Sequence, residues 1–567
     1  MRKILLSIIS LFSLATVVLA QQMTSGYGNI NEALKAHSSA KFTLSPAEQR
    51  AYGVMSDVGL QSRVTLNSNP VFMQITNVKP DSAAQQLSAV GYIGIAGADT
   101  EGDFLPYEGD GSTDYRVGAF GEYATKHSGT LAGHIQYARG KHRNIGWSAM
   151  RLPELYLPYI STDSCGGDFK FDSYYAEGSY AFDLNDWTLG AKASFYGEQS
   201  YRLTDPRALN NTTWLRFNAG VGKYIGRHLL MFDAGYGRNK QHMQLRYWRP
   251  GQQDRFFVCY GFGLYDTRQS AVSFGKSRMY YVDELNMRLQ YLSPQDKPLS
   301  LYASVGYTHD HMETEESDIY NLYESKTSVF TPQLMLTYSP CRSWTFRFAA
   351  SAELQRRNGY ENIIEEYLAD VDYNSYDFRV IDSQQNYKRD VTDVLLAVSA
   401  AHRMGSVEVA LQGGLATNRY DEKYNGGIYS IQVSTCTPHV KAVLGWHGKR
   451  DAIDFSMLYA HQGVGTHLYD VTMQNTKIKH LDFQHAFAPY AYRAADCNQF
   501  AMELTWRHKI GKMWVGLGGD LCVTNGNRVS DAVYSGNIGF DSTAPMLSAE
   551  AGKHKERYGS LKAFVAF

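Results

Sequence analysis

Trp344-Thr345-Phe346-Arg347-Phe348-Ala349-Ala350-Ser351-Ala352-Glu353-Leu354 sets two chemistries on alternate positions. Trp344, Phe346, Phe348, Ala350, Ala352 and Leu354 are apolar, while Thr345, Arg347, Ala349, Ser351 and Glu353 lie between them. A period of two is the signature of a strand with unlike faces. The length is as telling as the period. Globular strands usually run about 5–6 residues, whereas a tilted membrane strand needs about 9–11. In a membrane strand Arg347 and Glu353 must point away from lipid, because a charge on the lipid face costs about 2–4 kcal/mol at the midplane.

The same pattern recurs along the chain. Leu299, Leu301, Ala303, Val305 and Tyr307 share one face, as do Trp187, Leu189, Ala191, Ala193 and Phe195, and Phe500, Met502, Leu504 and Trp506. Very short connections are expected near 126–127, 184–185, 226–227, 293–297, 340–341, 403–404, 448–450, 509–511 and 554–555. Longer polar connections are expected near 140–172, 198–212, 240–277, 311–323, 355–385, 418–433, 464–496 and 525–541. Strict alternation of short and long joins describes an up-and-down transmembrane antiparallel β-barrel with tight turns on one side and large loops on the other. Nine hairpins give about 18 strands, with a range of about 14–20. One conflict arises: with short turns inside, the last strand of this set would leave the chain end outside. A strand near Ala84–Ala98 can precede the set, which repairs the start but not the exit.

Composition agrees with this reading. The 567 residues carry 41 Tyr and 50 Gly against only 15 Pro. Tyr suits a membrane interface and Gly lets strands bend. A formal net charge of −1 shows no basic excess, so no nucleic-acid partner is expected. Past residue 20 no run of about 18 apolar residues occurs, so no membrane helix is expected.

Residues 1–20 read as a signal peptide: Arg2 and Lys3 precede an apolar stretch that ends in Val18-Leu19-Ala20. Residues 21–84 lack the strand pattern and read as a plug or periplasmic segment, and 85–567 as the barrel. Within 21–84, Ile30–His37 and Pro46–Asp57 look helical, the second opened by Ser45 with Glu48 three residues on. Asn69-Pro70 faintly resembles the Asn-Pro-Ala plug element of fatty-acid-transporter barrels, although Val71 stands where that element has Ala.

Counting back by twos from the last residue gives Phe567, Val565, Ala563, Leu561 and Gly559. This resembles the terminal strand of Gram-negative outer-membrane barrels, whose final Phe and alternating apolar residues are read by the assembly machinery. That resemblance implies a cell outer-membrane location. It also gives Leu561, Val565 and Phe567 the role of an assembly signal, with outer-membrane lipids and the assembly machinery as partners. With its Tyr-rich long strands and Gln21-Gln22 start, the chain is similar to the large uncharacterised outer-membrane barrels of Bacteroidota.

The non-lipid faces carry the candidate lumen lining: Lys192, Arg216, Glu284, Arg288, Arg347, Glu353, Glu408, Glu503 and Arg507, with His134, Gln136, Gln412 and Asp454 beside them. Charges of both signs support two readings, a hydrated path with crosswise fields or a paired network that stiffens the wall. His309-Asp310-His311 with Glu313, Glu315, Glu316 and Asp318 has ligand chemistry but no metal-loop spacing, as do His480, Asp482 and His485. No metal, cofactor or catalytic constellation is expected. Of six Cys (165, 259, 341, 436, 497 and 522), none forms C-x-x-C; loop-side pairs are allowed, and Cys341 in the short turn should stand alone. Two functions stay open. One is a porin-like channel or transporter for a small or hydrophobic solute. The other is a non-transporting barrel subunit that docks lipoproteins or another outer-membrane transport or assembly complex.

Overall fold

The structure, a computed structural model, describes residues 69–71, 86–125, 129–163, 165–246, 248, 256–266, 277–294, 297–316, 319–341, 343–370, 372, 375–471, 480–481, 489–527 and 552–566. The signal peptide, the two expected helices, Asp482, His485 and Phe567 lie outside these residues.

Among the described residues, eighteen strands form one closed antiparallel sheet in which each strand pairs with its chain neighbours. The first is β1 (Gln86–Gly102). Eight hairpins with short turns follow. They are β2 and β3 (Gly111–Thr125, Gly129–Ile145), β4 and β5 (Gly167–Leu184, Trp187–Arg202), β6 and β7 (Arg207–Ile225, His228–Arg246), and β8 and β9 (Ser277–Leu292, Leu299–Glu316). Then come β10 and β11 (Ile319–Cys341, Trp344–Asp370), β12 and β13 (Ser375–Met404, Val407–Tyr424), β14 and β15 (Tyr429–His447, Asp451–Val471), and β16 and β17 (Cys497–Ile510, Met513–Gly526). The last strand, β18 (His554–Ala566), closes the barrel by pairing with β17 on one side and β1 on the other, from Val90↔Ala566 to Gly102↔His554. Among the described residues no helix is long and apolar enough to cross a membrane.

The strand total matches the sequence reading, but one hairpin was misplaced. The turn expected at 554–555 does not exist: His554 and Lys555 are the first residues of β18, paired with Gly102 and Glu101. One long connection, 527–553, joins β17 to β18. The eighteen are therefore eight hairpins flanked by β1 and β18. The sidedness conflict disappears, since β1 begins and β18 ends at the short-turn side.

A second correction concerns the long connections. Those expected at 198–212, 311–323, 355–385 and 418–433 are mostly strand, leaving only residues 203–206, 317–318, 371–374 and 425–428 outside the strands. The ladder simply continues beyond the apolar band. There the outer face leaves lipid for water and the inner face mixes charged residues with tyrosines buried under loops, so the two-residue alternation fades although the backbone pairing does not.

The band itself is plain on the outer face. Ile93, Phe217, Leu289, Val398, Leu411, Leu504, Leu517 and Leu561 are all exposed there. On β11 it runs from Trp344 to Leu354 and stops at Arg356, whose Nε reaches Asp390 Oδ1 at 2.7 Å. Ten steps of about 3.3 Å, tilted by roughly 40°, give about 25 Å of height, the thickness such a band needs. Trp187, Trp344, Trp446 and Trp506 mark its rim at the short-turn side, and Trp344 stacks on His402 with centroids 4.2 Å apart. Tyr115, Tyr174, Tyr236 and Tyr307 mark the other rim. Beyond that rim charge pairs take over, including Arg238–Asp283 at 3.6 Å.

Candidate functional site: the lumen and its loop-built lid

The barrel interior is polar where strands alone line it. Lys192 of β5 meets Glu177 of β4 at 2.7 Å. Arg216 of β6 meets Glu284 of β8 at 2.6 Å, with its guanidinium 3.7 Å from the centroid of the Trp214 ring. Across the lumen wall, Arg507 of β16 meets Asp454 of β15 at 2.6 Å, and His447 meets the same carboxylate at 2.8 Å. Of the residues singled out from sequence, Lys192, Arg216, Glu284 and Arg288 come together on β5–β8. Arg347, Glu353, Glu408, Glu503 and Arg507 lie apart from them, on β11, β13 and β16. The candidate lining residues thus lie in two or more wall patches.

At the short-turn end of β5–β7, Asn69-Pro70-Val71 lies buried against the wall. Asn69 Nδ2 donates to Gln290 Oε1 at 2.7 Å, and Val71 packs with Leu229, Met231 and Tyr302. Glycines make room for it. A Cβ on Gly220 would stand 2.5 Å from Asn69 Oδ1, one on Gly190 2.8 Å from Pro70 C, and one on Gly222 2.9 Å from Val71 Cγ1. A side chain at any of the three would collide with this tripeptide.

The other end is closed by loops that turn inward. The β3–β4 connection, 146–166, crosses the mouth. Its stretch Leu152-Pro153-Glu154-Leu155-Tyr156-Leu157-Pro158-Tyr159-Ile160 holds one charged residue among apolar and aromatic ones. Such a sequence seeks burial, and Glu154, Tyr156, Tyr159 and Ile160 are all buried. Tyr156 donates to Asn239 Oδ1 at 2.6 Å, and the backbone N–H of Ser161 donates to the Tyr280 hydroxyl at 3.0 Å. Tyr159 stacks on Tyr323 with centroids 4.9 Å apart, fitting over Gly359, where a Cβ would come within 2.9 Å of the Tyr159 hydroxyl. Ser161–Asp163 then pairs with Phe256–Cys259, which pairs with Leu264–Asp266, which pairs with His480–Leu481. Three inward loops therefore share a small sheet over the mouth. Beneath it Tyr260, Phe262, Tyr387, Tyr420, Tyr424, Tyr429, Tyr469 and Tyr490 build one core with the lid.

Glu154 is the polar centre of this lid. Arg389 NH1 reaches its Oε2 at 3.2 Å, and Tyr107 donates to Oε1 at 3.0 Å. Arg357 NH1 donates to the backbone carbonyls of Glu154 and Leu157 at 2.7 and 3.1 Å. Arg493 donates to the Tyr107 hydroxyl at 3.2 Å and lies over the Tyr420 ring at 4.7 Å. Both oxygens of the neighbouring Glu422 are taken by tyrosine hydroxyls, Tyr387 at 2.6 Å and Tyr420 at 2.7 Å. Burial pushes the Glu154 carboxyl up, but Arg389, Arg493, Arg357 and the Tyr107 hydrogen bond outweigh it and hold the group below the usual carboxylate range. Burial and the like charge of Arg389 pull Arg357, above the apolar band, down to about 10, which leaves it charged at neutral pH.

Sequence reasoning missed Glu154, Arg357 and Arg493 because they fall in stretches read as polar connection, and Arg389 because it lies just past the one expected at 355–385 and was not singled out. The available signal was the near-absence of charge in 152–160 and in Phe256-Phe257-Val258-Cys259-Tyr260-Gly261-Phe262-Gly263-Leu264. Of the ligand-type residues, His311, Glu313 and Glu324 do meet, with ligand atoms within 4.8 Å of one another. Lys326 at 3.7 Å and Asn362 at 3.2 Å from Glu324 already complete that cluster as a surface polar network.

A family described as "Family of unknown function (DUF6850)" matches residues 82–552, most of the chain. The chain belongs to this family. The matched span takes in β1–β17 and all three lid loops, so lid and barrel lie within one family unit. No curated protein matches the sequence. Among solved structures, the copper transporter OprC is similar at 8% identity and a TM-score of 0.36, over 86% of this chain and 81% of that one. The siderophore receptor PirA from Pseudomonas aeruginosa is similar at 7% and 0.34, over 85% and 81%. The siderophore receptor PiuA from Acinetobacter baumannii is similar at 6% and 0.36, over 84% and 81%. Likenesses this distant assign no cargo to the family.

Proposed function

We propose that this chain is an outer-membrane channel or transporter for a small solute, with short turns facing the periplasm and a lumen held shut by its own lid. The observation that carries the reading is the pairing of an apolar outer band with a charged interior whose mouth is latched through Glu154. A wall of about 18 strands encloses space wide enough for water unless it is filled. Here the filling is separate loops joined by hydrogen bonds and ion pairs, among them Glu154–Arg389 and Arg151–Glu198, which can part without breaking the barrel.

In this reading residues 1–20 are a removed signal and residues 21–84 a plug. Asn69–Val71, seated against Gly190, Gly220 and Gly222, is its anchor to the wall. Lys192, Arg216, Glu284, Arg288, Arg347, Glu353, Glu408, Glu503 and Arg507 line the path. Leu561, Val565 and Phe567 on the closing strand serve assembly. The charged wall favours a polar solute over a hydrophobic one.

Proteoliposome efflux tests the reading. Replacing 148–162 with a Gly/Ser linker should let a small polar dye escape, while the intact chain retains it. A lid-deleted barrel that is folded yet tight to small solutes would overturn the proposal.

A docking role has its own support. Beyond Glu361 and Tyr387 the β11–β12 hairpin runs on, among the described residues, without a ladder partner on either side. Its residues 362–386 carry six carboxylates (Glu365, Glu366, Asp370, Asp372, Asp377, Asp382) against Arg379, and Tyr376, Val380 and Ile381 are exposed. An isolated two-stranded ribbon is marginal in water, which suits a surface that gains a partner.

A further inference from the structure

The lid latch has the composition of an anion site. Three guanidiniums, from Arg357, Arg389 and Arg493, gather around one carboxylate supplied by the protein itself. Glu422 and Asp310 contribute negative charge nearby, but among the described residues neither accepts a hydrogen bond from the three. The buried Nε–H groups of Arg389 and Arg493 have no acceptor among the described residues. Burying one ion pair is rarely a gain over an apolar contact of the same size. Burying a cluster of guanidiniums with donors to spare is harder still to explain as packing alone. Arg357 adds to this. It holds the lid only through NH1 on the carbonyls of Glu154 and Leu157, so NH1 is released whenever the lid leaves while Nε stays on Thr327 Oγ1 at 2.9 Å.

We propose that the Arg357–Arg389–Arg493 seat takes a small carboxylate-bearing solute, and that Glu154 occupies it at rest as a competitor. The proposal rests on the transporter reading above and names its substrate class. Guanidinium forks match a carboxylate in plane and bidentately, which a point cation does not. The Tyr107 hydroxyl is placed to donate to the same group. Competition couples binding to opening, since a solute carboxylate that takes Arg389 removes the lid's central contact. A ligand can shift a two-state element only by its differential affinity, and the closed state here offers the solute no vacant carboxylate position.

Isothermal titration of the full-length protein in detergent tests this with citrate as the carboxylate probe, trimethyl citrate as its neutral counterpart and inorganic phosphate as a second anion. In Glu154→Gln the competitor is gone, so citrate should bind at least tenfold more tightly than to the unaltered chain. In Arg389→Gln it should bind at least tenfold more weakly than in Glu154→Gln. Trimethyl citrate should not bind to any of them. Equal citrate affinity in all three proteins, or no citrate binding to Glu154→Gln, overturns the proposal. Phosphate binding as tightly as citrate overturns the carboxylate class. Heat-dependent gel migration verifies that each variant keeps its barrel. Failure here leaves the dye-efflux result standing, because that assay depends on lid removal and not on any anion.

Discussion

Glu154→Gln should loosen the lid while sparing the barrel. The carboxylate is buried, 3.2 Å from Arg389 NH1. Removing one partner of a buried pair costs about 3–5 kcal/mol, since the other charge stays uncompensated. Glutamine keeps an acceptor for Tyr107, so the lower end, about 3 kcal/mol, is the fair figure. At about 1.4 kcal/mol per factor of ten, the open fraction of the lid should rise roughly a hundredfold. Single-channel recording in a planar bilayer reads this directly: the unaltered chain should show rare, brief openings, and Glu154→Gln frequent ones of the same unit conductance. The same amplitude matters, because the wall patches are untouched. Equal open probability in a correctly folded Glu154→Gln protein would refute the latch. A changed unit conductance would mean that the substitution acts on the wall instead.

Acid should mimic that substitution. The Glu154 carboxyl is held below its ordinary value, so its contribution is complete above that value and is lost as pH falls through the depressed one. The facing groups, Arg357, Arg389, Arg493 and Tyr107, keep their protons throughout, so openings should increase only as pH falls below the ordinary glutamate range, and Glu154→Gln should lack this acid response. Gly220→Val should unseat Asn69-Pro70-Val71, because even its first carbon would stand 2.5 Å from Asn69 Oδ1; faster protease cleavage around residue 70 in the folded barrel checks it, and unchanged cleavage contradicts it. Leu411→Arg, on the exposed centre of the β13 band, should destabilise the barrel by about 2–4 kcal/mol in a bilayer unfolding titration, whereas Val380→Arg on the free hairpin should change it little. An impermeant maleimide should label Val380→Cys on intact cells but reach Cys341, exposed at the short-turn end, only after the outer membrane is opened; the reverse pattern would invert the topology.

What the sequence disclosed follows from where the physics is periodic. In the band one face meets lipid and the other the lumen, so Trp344–Leu354 announces itself by alternation. Beyond Arg356 the outer face is wet and the inner face mixes Arg357 and Arg389 with Tyr387 under the lid, so β11 and β12 continue to Asp370 and from Ser375 with no such mark. The same blindness placed a turn at 554–555. Lys553-His554-Lys555 reads as a polar break, yet His554 is buried beside Gly526 and already paired to Gly102. The wall charges were legible because lipid excludes them from the other face. Their partners were not, since Arg216 and Glu284 are 68 positions apart and meet only through the register of β6, β7 and β8. The lid lay further out of reach. Glu154 and Arg389 are 235 positions apart and belong to segments with no shared pattern. Only the apolar character of 152–160 and 256–264 hinted that these loops turn inward.

Hydrogen–deuterium exchange of the full chain in lipid nanodiscs tests the lid most directly. The amide of Ala149 donates to Ser161 O at 2.9 Å, that of Cys259 to Ile160 O at 2.9 Å, and that of Ser161 to Tyr280 at 3.0 Å. With those amides bonded inside the mouth, peptides covering 148–161 and 258–264 should exchange orders of magnitude more slowly than an open loop, and Glu154→Gln should speed them while β11 within the band stays protected. Exchange of both peptides at the open-loop rate in the unaltered protein would mean that the mouth is open, and the account of a latched lumen would fall.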